Sequence, residues 1–295
     1  PVQALVTVAL LQDIPECEVL LSFIGWEECK WSSVAGQGQT HSVSHHKATN
    51  VIVSSEFPIF SFAAPINPQG EFNFPVIISI PPNYPASFEA PGARILYKLV
   101  AEIRDKNKMW SISSGLHLFV KQAPILSTVS PYSKEIQFPV VTMCCISKGQ
   151  SRITAKLQSM HLPKSEDHRL DFKIDNSSCS APLNRLNVKL MSRVEKISSG
   201  QVSSDPKTIQ EQTVTCLVPG GSNDGKNYSC IFKFPNIQDS TLGKCVRNLH
   251  LFLVTAEFGG VLCSCGYSVG DVPIVICGEK DPKPFQQSAN EIVID

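Results

Sequence analysis

The chain has 295 residues, 42% hydrophobic and 18% charged, with Lys+Arg and Asp+Glu equal at 26 each. This composition can fill hydrophobic cores and excludes a disordered chain, which would need low hydrophobicity and a large net charge. The balanced charge, with no run of five like charges, argues against a nucleic-acid partner, whose phosphates demand a basic face.

A domain of two packed sheets takes roughly 100 residues, and single cores stop growing near about 250–300, so the length suits two domains. Strand signals recur along the chain and helix signals hardly appear. Val2 to Leu11 and Cys17 to Ile24 are aliphatic and β-branched, separated by the turn-like Gln12-Asp13-Ile14-Pro15. Further strands are predicted over Asn50 to Ser54, Phe57 to Phe62, Phe72 to Ile80, Ala93 to Ile103 and Ser111 to Val120. In Ile95 to Ile103, residues Ile95, Tyr97, Leu99, Ala101 and Ile103 share one face, the period of two of a half-buried strand. Lys121 to Pro131 carries prolines that cannot donate to a β-ladder and reads as a connector.

Strands resume over Ile136 to Ile146, Ser151 to Leu157, Arg169 to Asp175, Leu186 to Val194, Glu211 to Leu217, Tyr228 to Phe234, Val246 to Glu257 and Asp271 to Ile276. Ser198 to Lys207 and Val218 to Asn227 read as loops, and the polar tail from Gly278 to Asp295 as extended and mobile.

The chain contains 11 cysteines, an odd number spread over its length, which fits free buried thiols in a reducing compartment better than a disulfide framework. Cys144 and Cys145 are strand neighbours, so they point to opposite faces and do not readily bridge. Two sequons, at Asn176 and Asn227, matter only in a secreted chain. No stretch approaches the ~20 apolar residues of a membrane span.

Four patterns invite a chemical reading. Pro81-Pro82-Asn83-Tyr84 matches Pro-Pro-x-Tyr, a WW-domain ligand that docks as a preformed polyproline helix; a rigid inter-strand loop would use the same residues. Gly220 to Asn227 nearly matches a phosphate loop, but Asn227 stands where Ser or Thr would hold magnesium, and a strand rather than a helix follows, so a hairpin loop is favoured. His41, His45 and His46 with Cys29 upstream, and Cys263-x-Cys265, fall short of the paired spacing of a zinc site, and the His-rich stretch reads as a solvated loop. Glu27-Glu28 and Glu166-Asp167 are sequence neighbours, not a convergent acid/base couple. No nucleophile elbow, zincin or dinucleotide motif occurs. The expectation is therefore no catalytic residue, no cofactor and no metal.

Two segments carry a family likeness. Gly70 to Ile103 contains Pro85, Ser87, Phe88, Glu89, Gly92 and then Tyr97, Leu99, Ala101 and Ile103; upstream, Phe23-Ile24-Gly25 is followed by Trp31. Cys144 to Val194 contains Lys148-Gly149, Ile153 to Leu157, and Phe172 to Ser178 ending in Asn176-Ser177-Ser178. Leu249 to Ala256 and Val272 to Gly278 follow in order. This succession resembles the arrestin-domain proteins, closest to the α-arrestins. His161 to Glu166 departs from the family, which has a Tyr-x-Pro-Gly-Glu turn there. The family's first strand and its Pro-Gly-Glu turn would precede Pro1, which implies an open edge in the first domain.

The resemblance implies an all-β chain of two tandem immunoglobulin-like β-sandwiches, the arrestin fold. It would comprise an N-domain over 1–122, a linker over 123–132, a C-domain over 133–278 and an extended tail over 279–295. It implies an adaptor in the cytoplasm, at the plasma membrane or endosomes, that binds cytoplasmic segments of membrane proteins and links them to trafficking or ubiquitination. Pro81, Pro82 and Tyr84 are then the candidate contacts for a WW-domain ubiquitin ligase. Peripheral membrane association fits this reading, and a transmembrane segment does not. The alternative is a structural subunit of a stable assembly built on the same fold. A third reading is an extracellular pair of immunoglobulin-like domains, against which no Cys…Trp…Cys framework stands out.

Overall fold

The computed structural model describes residues 2–10, 13–37, 40–66, 71–122, 130–142, 146–234, 236–260, 269–278 and 290–294. Every regular element among them is a strand. In the N-terminal part these are β1 (Val2–Ala9), β2 (Cys17–Gln37), β3 (Thr40–Ser61), β4 (Glu71–Ile78), β5 (Phe88–Ala90), β6 (Ala93–Asp105) and β7 (Ser111–Leu118). Then come β8 (Tyr132–Thr142), β9 (Ile146–Leu157), β10 (His161–Pro163), β11 (His168–Asp175), β12 (Leu183–Ser198) and β13 (Gln201–Val218). The chain finishes with β14 (Asn227–Phe232), β15 (Thr241–Leu242), β16 (Val246–Phe258), β17 (Val269–Cys277) and β18 (Asn290–Ile294).

Four sheets result. One has the order β18-β1-β4, and a second runs β3-β2-β6-β5 with β7 also on β6. Together they enclose a core of Val6, Val8, Val19, Leu21, Phe23, Ile95, Tyr97 and Leu99. The predicted alternation of β6 appears as burial: Ile95, Tyr97, Leu99, Ala101 and Ile103 are all inside. The other two sheets, β14-β11-β9-β8 and β10-β17-β16-β12-β13 with β15 on β16, enclose a second core. Across that core Phe232 of β14 meets Phe252 of β16 with ring centroids 4.7 Å apart. Each such fully buried side chain contributes about 1.5–3 kcal/mol over its exposed state, and this layer of facing aromatics holds the two sheets together.

Several elements differ from the sequence reading. The strands expected at Asn50 to Ser54 and Phe57 to Phe62 are one strand, β3, which begins at Thr40 and takes in the His-rich stretch read as a loop. Beyond Cys29↔Ala93, the last pair that β2 makes with β6, β2 and β3 continue as a two-stranded ribbon through Trp31↔His46 and Ser32↔His45. A ribbon wet on both faces leaves no hydrophobic period to read.

Ser198 to Lys207, read as a loop, is the tip of a β12–β13 hairpin. Ser199 (φ 50°) and Gly200 (φ 77°) form its two-residue turn, both in the left-handed region that such turns require. Val218 to Asn227 does contain a loop, but it joins strands of two different sheets, so it is not a hairpin.

The tail, read as loose, ends in a strand. β18 pairs parallel with β1, from Ala4↔Asn290 to Val8↔Ile294, and Ile292 is buried. β1 therefore has a neighbour on each side, β4 and β18. Of the connector, residues 123–129 lie outside the described residues.

Candidate functional site

The chemistry-bearing residues gather where the two cores approach each other. On β2 the inward positions run Val19, Leu21, Phe23, Gly25, Glu27 and Cys29, so a carboxylate occupies a place in an otherwise apolar series. Glu27 is 1% exposed. Its Oε1 accepts the N–H of Lys244 at 2.8 Å and the Asn50 amide at 2.8 Å; its Oε2 accepts the N–H groups of Cys245 at 3.0 Å and Val246 at 3.1 Å. Thus one carboxylate of β2 satisfies three consecutive backbone donors at the entry to β16, whose Cys245 and Val246 pack into the first core beside Cys29. A buried carboxylate is tolerated only when hydrogen-bonded in this manner. An acidic residue at an inward strand position was the signal that sequence reasoning missed.

Neighbouring contacts continue the junction. Ser198 donates its hydroxyl to Lys47 O at 3.0 Å, Thr241 to Ala86 O at 3.2 Å, and the Gln238 amide to Glu89 O at 3.0 Å. Asp239, whose side chain is nearly buried, accepts the N–H of Gln122 at 2.8 Å and pairs with Lys164. Ser240 hydrogen-bonds His250 Nδ1 at 2.9 Å and accepts the N–H of Ile276 at 2.8 Å. Burial first, then the Lys164 charge, push the His250 pKa down to about 4, against a smaller upward pull from Asp239. Beside this network lies a groove of about 600 Å³, lined among others by Phe88, Pro91, Lys207, Ile237 and His250. Lys196 and Asp205 on its flank form an ion pair at 2.8 Å.

Pro81-Pro82-Asn83-Tyr84 lies between β4 and β5. Both prolines are exposed, and Tyr84 is half-buried, with its N–H bonded to Pro81 O at 3.2 Å. The Tyr84 ring stacks on Tyr97 at 6.4 Å, and Tyr97 in turn on Phe23 at 5.9 Å. The Tyr97 hydroxyl donates to Pro85 O at 2.7 Å. Gly25 belongs to the same arrangement: a Cβ there would stand 2.6 Å from two atoms of the Tyr97 ring. Tyr84 thus fills a place in the fold, and a WW groove would have to draw it away from Tyr97.

In the Gly220 to Asn227 stretch, the N–H of Gly225 bonds Asn223 Oδ1 at 3.3 Å and the N–H of Lys226 bonds Asp224 Oδ1 at 3.1 Å. Those amides are taken by side chains of the loop itself, whereas a phosphate cradle would point them outward. His45 Nδ1 meets Ser32 Oγ and His46 Nε2 meets Ser33 Oγ, each at 2.9 Å, and His46 stacks on Trp31. Cys29 faces the junction instead, and no group of three His, Cys, Asp or Glu able to hold a metal occurs among the described residues. Cys144, Cys145, Cys263 and Cys265 lie outside the described residues. Asn176 of the first sequon is fully buried, giving its amide to Ala181 O at 2.9 Å and Pro219 O at 3.0 Å. No helix of the described residues is long and apolar enough to cross a membrane.

One edge stands apart from these internal uses. β3 pairs with β2 alone among the described strands. Because Lys47 O accepts the Ser198 hydroxyl, that carbonyl faces away from β2. By the period of two, Thr49 and Val51 present theirs the same way. From Ala48 to Phe57 this edge carries no proline and no lysine, between Lys47 and Pro58. Val51 is 62% exposed and Phe57 47%. No family model matches the chain, and no curated protein matches it.

Proposed function

We propose that the chain is an arrestin-like adaptor of two tandem β-sandwiches, which takes an extended segment of a membrane protein's cytoplasmic part as an added strand along β3. The observation that carries this reading is the bare edge from Ala48 to Phe57. Sheet edges are usually blunted by Lys, Pro or a covering element, because unpaired N–H and C=O groups recruit other chains. Here Lys47 with Ser198 and then Pro58 stand at the two ends of a ten-residue stretch interrupted by one register shift between Val51 and Val53. Strand addition supplies main-chain hydrogen bonds, and the exposed Val51 and Phe57, on opposite faces of β3, offer an apolar contact on each side of an added strand.

Support also comes from the order of the family-like segments, which fall on structural positions with clear roles. Gly25 makes room for Tyr97, Tyr97 bonds Pro85 O, and Asn176 ties the loop at Ala181 to Pro219. The junction supports an adaptor that works as one body, because Glu27 links the two units through buried hydrogen bonds. A ubiquitin ligase recruited through Pro81, Pro82 and Tyr84 would need the Tyr84 ring released, so the β3 edge is the favoured contact for cargo.

The test is an affinity capture from native cells with the full chain, run beside Val51→Lys and Tyr84→Ala. Enrichment of membrane receptors or transporters that disappears with Val51→Lys supports the adaptor. Their loss with Tyr84→Ala and persistence with Val51→Lys would move the contact to the proline loop. A single stoichiometric complex without membrane proteins would favour the structural-subunit reading, for which the same open edge would serve as a permanent interface.

A further inference from the structure

Cys29 and Cys245 belong to different halves of the chain, yet they pack in one core, where each thiol shifts the pKa of the other. Two further contacts place them together independently. The Cys29 thiol reaches Ile197 O at 3.5 Å, and the N–H of the same Ile197 bonds Cys245 O at 2.9 Å. Glu27, two positions before Cys29 on the same face of β2, holds the N–H of Cys245. Both cysteines are buried, at 2% and 5% exposure. Other described cysteines behave differently: Cys179, Cys216 and Cys230 each direct the thiol to a backbone carbonyl of their own half.

We propose that Cys29 and Cys245 form an oxidation site, at which a peroxide converts the two thiols into a disulfide that ties β2 covalently to the segment entering β16, from the other half of the chain. The co-reactant is hydrogen peroxide. Cys29 loses its proton and its sulfur attacks one peroxide oxygen; the O–O bond breaks, leaving a sulfenic acid on Cys29, and the departing hydroxide takes up that proton as the first water. Cys245 sulfur then attacks Cys29 sulfur, the S–O bond breaks, and the departing hydroxide leaves with the Cys245 proton as the second water. Two electrons pass from the pair of sulfurs to one peroxide.

The surroundings set the order and the pace. Burial raises the Cys29 pKa, while its contacts with the backbone at Ile197 and Ala48 and with the Cys245 thiol pull it partly back. Burial and then the Glu27 charge push the Cys245 thiol up, and its hydrogen bonds to Glu27 and Cys29 raise it further. Cys29 is therefore the attacking thiol and Cys245 the resolving one. With the junction closed the thiolate is scarce, so the bond forms slowly and its rate reports on opening of the Glu27 contact. Each pKa unit recovered raises the thiolate fraction about tenfold and lowers its nucleophilicity about threefold, a net gain of about threefold.

The test is treatment of the folded full chain with hydrogen peroxide, followed by denaturing alkylation and non-reducing peptide mapping. The expected product is a reducible peptide pair joining Cys29 to Cys245, absent in Cys29→Ser and in Cys245→Ser, and formed faster in Glu27→Gln than in the wild-type chain. The oxidised wild-type chain also melts at a higher temperature than the reduced one, a readout that needs no variant to fold. Recovery of both cysteines as separate alkylated thiols while other cysteines oxidise would overturn the proposal. Formation of the pair only in denaturant, or linkage of Cys29 to a different cysteine, would overturn it equally.

Discussion

Glu27 on β2 accepts the backbone N–H of Val246, at the start of β16, at 3.1 Å, and the two residues come from opposite halves of the chain. The same carboxylate takes the two preceding amides, so removal of one side chain leaves two buried donors, at Cys245 and Val246, and the part-buried one of Lys244 without this acceptor. At about 1–3 kcal/mol for each unsatisfied buried group, Glu27→Ala lowers stability by at least about 2 kcal/mol. Glu27→Gln keeps one accepting oxygen and loses less. Chemical denaturation of both variants checks the ranking, and equal losses would contradict it.

The ring series Phe23–Tyr97–Tyr84 gives a second prediction. Gly25→Ala brings a methyl group to 2.6 Å from the Tyr97 ring and 2.9 Å from Val53 Cγ1, so the ring must move. Overpacking of this kind costs about 1–3 kcal/mol. Tyr84→Ala removes an outer, half-buried member of the series and costs about 1 kcal/mol, whereas Tyr84→Phe keeps the stack and shifts stability by under about 0.5 kcal/mol. Thermal unfolding of the three variants tests the order Gly25→Ala, Tyr84→Ala, Tyr84→Phe.

His250 predicts the acid response. Its pKa falls from the ordinary 6.5 to about 4 in the folded chain, chiefly because it is buried, 3% exposed. The unfolded chain therefore takes the proton first. The stability linked to this group is complete above about pH 6.5 and is lost as the pH falls toward 4, by about 3 kcal/mol in all. His250→Gln flattens that part of the profile. Denaturation midpoints across this window measure it, and an unchanged slope in the variant would assign the loss to other groups.

Legibility in the sequence followed locality. β6 was readable because one face of Ile95 to Ile103 is uniformly apolar and buried. The ribbon through His45 and His46 was not, since it rests on lateral pairing with Trp31 and Ser32 and on the half-buried Trp31, which leave no repeating apolar face. β18 escaped notice because five residues, Asn290–Ile294, acquire their partner on β1 at the other end of the chain. Glu27 was visible in principle, as a charge in the inward series of β2, but its acceptors' partners at Lys244, Cys245 and Val246 carry no sequence mark: backbone donors look alike in every residue. Pro81 to Tyr84 was found as a motif, while the stacking of Tyr84 on Tyr97 needed the third dimension.

The measurement that bears most directly on the adaptor reading is backbone amide exchange over Ala48 to Phe57, taken on the full chain alone and with a captured membrane-protein segment bound. On this reading, amides on the open side of β3 are expected to slow on binding, while those of β13, the outer strand of another sheet, keep their rates. Unchanged exchange along Ala48 to Phe57, with protection appearing at Pro81 to Tyr84 or on β13, would contradict it.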